Sequence, residues 1–108
     1  MEKTRTIDLD KKLIQNIQRI GQKYDIEQIL LFGSRARGNN KPKSDIDLAV
    51  FPLPGFSNRG RLSSDLDDID TLLKLDVVFI DKQIDPILLE NIEREGVILY
   101  ERSKTKNQ

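Results

Sequence analysis

Two aspartates stand two residues apart inside an apolar run, Asp45-Ile46-Asp47-Leu48-Ala49-Val50-Phe51. Side chains alternate between the two sides of a strand, so this pattern constrains the fold more than any other stretch. Asp45, Asp47, Ala49 and Phe51 share one face; Ile46, Leu48 and Val50 share the other. The all-apolar face belongs against helices, which leaves the aspartate face as the open one. Upstream, another apolar run (Ile29, Leu30, Leu31, Phe32) ends in Gly33-Ser34. A short basic segment with Arg35, Arg37, Lys41 and Lys43 joins the two runs.

The remaining chain reads as alternating elements. The spacing of Leu9, Leu13, Ile17, Ile20 and Tyr24 predicts a helix over 8–24, capped by Asp8 or Asp10 and weakened in its last turn by Gly21. Strands are predicted at 26–32 and 44–51, and a Pro- and Gly-rich loop at 52–60. A helix over 61–74 (Leu62, Leu66, Ile69, Leu73), a strand over 75–80 and a helix over 84–95 follow. Pro86 falls near the first turn of that last helix and Gly96 lies just past its end. A short strand occupies 97–100. Residues 1–100 form a single domain and 101–108 a polar, fraying tail. The order α-β-β-α-β-α-β points to an α/β sandwich built on one mixed sheet. On the 75–80 strand, Asp76, Val78 and Ile80 share a face. If this strand neighbours 44–51 in register, Asp76 joins Asp45 and Asp47 as a third carboxylate.

Composition narrows the chemistry. The 108 residues suit one domain with a moderate core. The 18 basic and 18 acidic residues balance, which argues against a dedicated nucleic-acid binder. There is no histidine and no cysteine, so imidazole bases, disulfides and thiolate metal sites are excluded. Metal or acid–base chemistry therefore falls to carboxylates. No stretch is long and apolar enough to cross a bilayer and the N-terminus lacks a signal-peptide core, so the expectation is a cytoplasmic protein without a membrane role. Clustered carboxylates repel one another and are tolerable when cations occupy them. They are the hard oxygen ligands that Mg²⁺ takes, with other positions left to phosphates and water. A small turn such as Gly33-Ser34 can cradle phosphates through N–H groups and a hydroxyl. Together these features suggest a nucleoside triphosphate site with two metal ions for in-line phosphoryl displacement. Arg37 is placed to neutralise a leaving pyrophosphate; Arg35 and Lys43 are weaker candidates.

Gly33-Ser34, ten residues, Asp45-x-Asp47 and the later strand aspartate Asp76 resemble the minimal nucleotidyltransferases of the DNA polymerase beta superfamily. The match covers residues 26–80 closely. It implies an α+β sandwich: a mixed, mainly antiparallel four-stranded sheet with helices packed on one face. It also implies Mg²⁺-dependent transfer of a nucleoside monophosphate, with pyrophosphate released. Asp45, Asp47 and Asp76 would be the catalytic metal ligands, and Gly33, Ser34 and Arg37 the nucleotide-binding residues. The ten-residue spacing looks most like the antitoxins paired with HEPN-domain ribonuclease toxins. That subgroup implies AMP transfer from ATP onto the toxin as partner. The short chain lacks room for an acceptor-holding domain, which suits an acceptor brought by another protein.

Other readings compete. The protein could neutralise a partner by contact alone, gated by nucleotide, or transfer to a small molecule or RNA end. Asp45-x-Asp47 could be solvated edge-strand residues, and Asp76 a simple strand start. The Gly33–Gly38 spacing imitates a P-loop, but Asn39-Asn40 stands where Lys-Ser/Thr is required. The run Asp65, Asp67, Asp68, Asp70 lacks the glycine and glutamate of a calcium loop and reads as a solvated face in the first turns of a helix. Arg102, Lys104 and Lys106 could touch RNA, although a solvated end is the simpler reading.

Overall fold

The computed structural model describes residues 7–102. Its elements are α1 (Lys11–Lys23), β1 (Ile26–Phe32), α2 (Ser34–Arg37), β2 (Ile46–Pro52), α3 (Arg59–Asp67), β3 (Leu75–Phe79), α4 (Pro86–Glu95) and β4 (Val97–Glu101). The four strands form one sheet in the order β3-β2-β1-β4. β1 is antiparallel to both β2 and β4, while β2 and β3 run parallel. A parallel pair needs a crossover, and α3 supplies it. The expected mixed, mainly antiparallel α+β architecture is present.

Period-2 alternation sorts the sheet into two faces. Ile29, Leu31, Ile46, Leu48 and Val50 pack with Leu13, Ile17 and Ile20 of α1 and Leu62 and Leu66 of α3. This is the main core. Leu30 and Ala49, on the opposite face, pack with Ile92 of α4, flanked by Phe32, Phe51, Ile80 and Leu88. Two helices thus line one face as expected, and α4 adds cover on the aspartate side. Ala49 is fully buried there, whereas Phe51, Val78 and Ile80 remain half-buried.

Several boundaries differ from the sequence-based expectation for physical reasons. α1 begins at Lys11 rather than residue 8, yet Ile7 and Leu9 still pack against the core from the incoming segment. Gly21 serves packing: a Cβ there would lie 2.6 Å from the Tyr100 ring. It lets α1 settle onto β4, where a register shift opposite Ile29 and Leu30 buries both Leu99 and Tyr100 in the main core. α3 stops at Asp67, and Ile69 and Leu73 reach the core from an irregular segment. Asp65, Asp67 and the C-cap Asp68 sit at the end of that helix, where the dipole disfavours negative charge, not in its first turns. α4 starts at Pro86 rather than residue 84: Pro86 takes its first position, and the Asp85 carboxylate caps it, accepting from the Ile87 N–H at 3.1 Å.

Glu101 is the last residue of β4, and Arg102 is tied to the fold. Its N–H donates to Glu27 O, its Nε to Ile26 O at 2.9 Å and its Nη2 to Tyr24 O at 2.7 Å. The rest of the expected tail, including Lys104 and Lys106, lies outside the described residues.

Candidate active site

β1 delivers the chain to the site. After Phe32 the backbone turns through Gly33, whose φ of +79° and ψ of −157° fall in a region that only glycine occupies readily. The four-residue helix α2 follows at once. The N–H groups of Ala36 and Arg37 both donate to Gly33 O, so those of Ser34 and Arg35 precede the first helical hydrogen bond. An N–H pair and the Ser34 hydroxyl are thereby presented at the turn.

β2 delivers two carboxylates beside that turn. Phe32 pairs with Asp47 across the antiparallel ladder, and Asp47 pairs with Asp76 across the parallel one. Paired residues project to the same side, so Asp47 and Asp76 are lateral neighbours. The register on which Asp76 depended is the one observed. Asp45 lies one residue ahead of β2 and is exposed. A Cβ on Gly33 would fall on the Asp47 carboxylate.

Charge in this corner is poorly balanced. Partial burial, and then the nearby charges of Asp76 and Asp45, raise the Asp47 carboxyl above its ordinary value, while Arg37 pulls it down. Arg37 Nη1 is 3.0 Å from Glu95 Oε1 at the end of α4. Lys74 Nζ lies 3.5 Å from Asp76 Oδ1. Among the described residues no three carboxylates already stand at metal-cage spacing. The donor set nevertheless fits a divalent magnesium: its ligands are hard carboxylate oxygens, and the repulsion felt by Asp47 is what a bound cation relieves. The site lies at the end of the sheet where β1 leaves and β2 and β3 begin. Clefts of about 380 and 330 Å³ lie instead beside α1, and none of the three aspartates lines them.

Of the weaker candidates, Lys43 is exposed, and Arg35 is buried with its guanidinium spent on backbone carbonyls. Glu95 was not foreseen. It approaches Arg37 only because α4 crosses the aspartate side, and no local pattern in the chain signals that.

The sequence profile of the family described as "Polymerase beta, Nucleotidyltransferase" matches residues 15–105. The chain belongs to this nucleotidyltransferase family. Membership brings a nucleotide substrate and a divalent metal in general terms. No curated protein matches the nucleotidyltransferase by sequence. Solved structures do match it in fold. A chain of a toxin–antitoxin complex with AMP-PNP superposes with a TM-score of 0.62 at 24% identity, covering 83% of this chain and 74% of that one. A chain from an MntA toxin–antitoxin variant, with two aspartates two positions apart changed to glutamate, gives 0.61 at 22% identity, with the same coverage. A chain from the complex of a tri-AMPylated Shewanella oneidensis HEPN toxin with its MNT antitoxin gives 0.58 at 20% identity, covering 87% and 74%. At these identities the likeness is one of fold. No helix among the described residues is long and apolar enough to cross a membrane.

Proposed function

We propose that this nucleotidyltransferase moves AMP from ATP onto a hydroxyl of a protein partner, a HEPN-domain toxin, and so acts as its antitoxin. The observation that carries the reading is the pairing of Asp47 with Asp76 directly beside the Gly33-Ser34 turn. Likeness to chains from complexes described as toxin–antitoxin, one of them AMPylated, supports the acceptor class. The paired aspartates altered in one such neighbour parallel Asp45-x-Asp47.

Asp45, Asp47 and Asp76 would hold magnesium. When bound, the metal would supply charge neutralisation on the triphosphate and a lowered pKa for the acceptor hydroxyl. The N–H groups of Ser34 and Arg35 and the Ser34 hydroxyl would bind the outer phosphates. In the transfer, the acceptor oxygen bonds to the α-phosphorus as the bond to the β-phosphate bridging oxygen breaks. Pyrophosphate leaves with that electron pair, and the hydroxyl proton passes to water or to an aspartate oxygen. Arg37 would stabilise the charge that grows on pyrophosphate. The aspartate face, with Phe51, Val78 and Ile80 half-buried, suits an acceptor arriving on another protein.

The test is to incubate the chain with ATP, Mg²⁺ and a co-encoded HEPN protein and to weigh the products. AMP-sized additions to the partner, lost in the Asp47→Asn variant, are the expected outcome. An unmodified partner that the Asp45→Asn/Asp47→Asn double variant still neutralises would replace this reading with contact inhibition.

A further inference from the structure

Arg35 is the one charged residue among the described residues that is buried, at 2% exposure. A buried guanidinium must spend its donors well, because an unpaired charge out of water is costly. Here Nε donates to Ser44 O at 3.1 Å, Nη2 to Pro42 O at 3.0 Å and Nη1 to Asp8 O at 2.7 Å. The Asp8 carboxylate adds an ion-pair contact at 3.5 Å. Two chain segments therefore converge on one side chain: the approach to α1 through Asp8, and the 38–45 loop through Pro42 and through Ser44, the residue immediately before Asp45.

The loop is stitched to the same hub by smaller contacts. Asn40 Nδ2 donates to Asp8 Oδ2 at 3.1 Å. The Lys41 N–H donates to Ser44 Oγ at 2.8 Å, and the Ser44 N–H donates to Lys41 O at 3.0 Å. Asp45 lies outside β2, so no ladder hydrogen bond of that strand fixes it. Its position follows from its two neighbours: Ile46, whose N–H donates to Lys74 O at 2.8 Å, and Ser44, whose carbonyl Arg35 holds. Arg35 itself is the second residue of α2, directly after Ser34.

We infer that Arg35 is a positioning residue that sets Asp45 relative to the Ser34 turn, and that it thereby governs how well the site holds its divalent metal. The inference rests on the metal-binding reading of Asp45 and Asp47 given above. Groups that orient metal ligands without touching the ion act strongly on affinity, because the ligands must be held in place before the cation arrives. Lysine cannot replace this arginine, since a single ammonium on a flexible stem lacks the planar fork that reaches three carbonyls.

Arg102 provides an internal control. It too spends its guanidinium on backbone carbonyls, those of Ile26 and Tyr24, but at the opposite end of β1 from Gly33. The experiment compares the full chain with its Arg35→Gln, Arg35→Lys and Arg102→Gln variants, each well below its melting temperature. Hydrogen exchange is read at the Ser44 amide without metal, and Mg²⁺ is titrated against the Asp45 and Asp47 amide shifts. Both Arg35 variants should exchange faster at Ser44 and need at least about tenfold more Mg²⁺ for half-saturation. Arg102→Gln should change neither. If Arg35→Gln does not fold, Arg35→Lys carries the comparison alone. Unchanged Ser44 exchange in the Arg35 variants overturns the inference, as does an equal Mg²⁺ shift in the Arg102 variant. Faster Ser44 exchange in the Arg35 variants, with no Mg²⁺ response in the unaltered chain, would retain the clamp and remove the metal reading instead.

Discussion

The Asp47 carboxylate occupies the space in which a side chain at Gly33 would begin. Backbone and carboxylate approach so closely because Phe32, one residue earlier, pairs directly with Asp47 across the β1–β2 ladder. The Gly33-Ser34 turn and the Asp47 carboxylate are thus one packing unit.

Gly33→Ala should therefore damage both stability and binding. The backbone conformation alone costs about 1–3 kcal/mol for a residue with a Cβ. The collision displaces Asp47 in addition. Denaturant unfolding should show an earlier midpoint, and calorimetric titration with Mg²⁺ and ATP should show little heat. A variant that folds and binds as well as the parent would mean the turn is looser than described.

Asp47→Asn should make the metal-free protein more stable at neutral pH while abolishing transfer. The Asp47 carboxyl is raised by burial and by Asp76 and Asp45, so the folded state holds its proton more tightly than the unfolded chain. Its contribution to stability is fully present below the ordinary value of 3.8 and is lost as pH rises through the raised folded value. Melting curves against pH should show this acid-side gain in the parent and lose it in the variant. Mg²⁺ should raise the melting temperature of the parent only, since a ligand stabilises in proportion to its occupancy of the folded state.

Asp65 should act in the opposite sense. Hydrogen bonds from Lys23 and Tyr24 lower its carboxyl below 3.8. The stability it adds is present above that value and is lost as pH falls through the lowered one. Asp65→Asn should therefore flatten the acid limb of the stability profile and leave Mg²⁺ binding unchanged. A change in Mg²⁺ affinity would contradict the separation of this network from the site.

Arg37→Gln should fold normally but bind nucleotide more weakly. Its pair with Glu95 is half-exposed, and such surface pairs are worth about 0–1 kcal/mol. Removing its charge also withdraws the one named influence that lowers the Asp47 carboxyl. Titration with ATP and Mg²⁺ should show the loss, and thermal melting should not.

Gly21→Ala should destabilise the fold without touching the site. Alanine favours a helix over glycine by about 1 kcal/mol, but overpacking a core costs about 1–3 kcal/mol. Tyr100 is buried in the main core, so the Cβ would press on a packed ring. A lower melting temperature with unaltered Mg²⁺ titration is expected; a higher one would show that the ring yields.

Much of this was readable from residue pattern. β1 spans 26–32 as its apolar run indicates, and alternation along 44–51 and 75–80 puts Asp47 and Asp76 on one face once the two strands are neighbours in register, as they are. Local pattern carries such features because a strand's period is set by its own backbone. The parts that were not legible depend on remote partners. Arg35 reads as one more basic residue in a loop until the loop folds back on it and Asp8, 27 residues away, adds a third carbonyl. Gly21 reads as a weak helix position until Tyr100 arrives from the last strand. Four residues of α2 are too few to leave a periodic signal, and the placement of α4 on the aspartate side follows from the sheet order.

The parallel pairing of β2 with β3 has a consequence for assembly. Hairpin-like neighbours can zip early, but a parallel pair must wait for its crossover to close. The turn and Asp45 and Asp47 come from the first half of the chain, whereas Asp76 comes from beyond α3. A nascent chain emerging in order would present an incomplete set of carboxylates until β3 docks. The completed trio is then a timer within the molecule, marking the moment when the parallel β2–β3 contact has formed, with β4 still to add to the far side of β1.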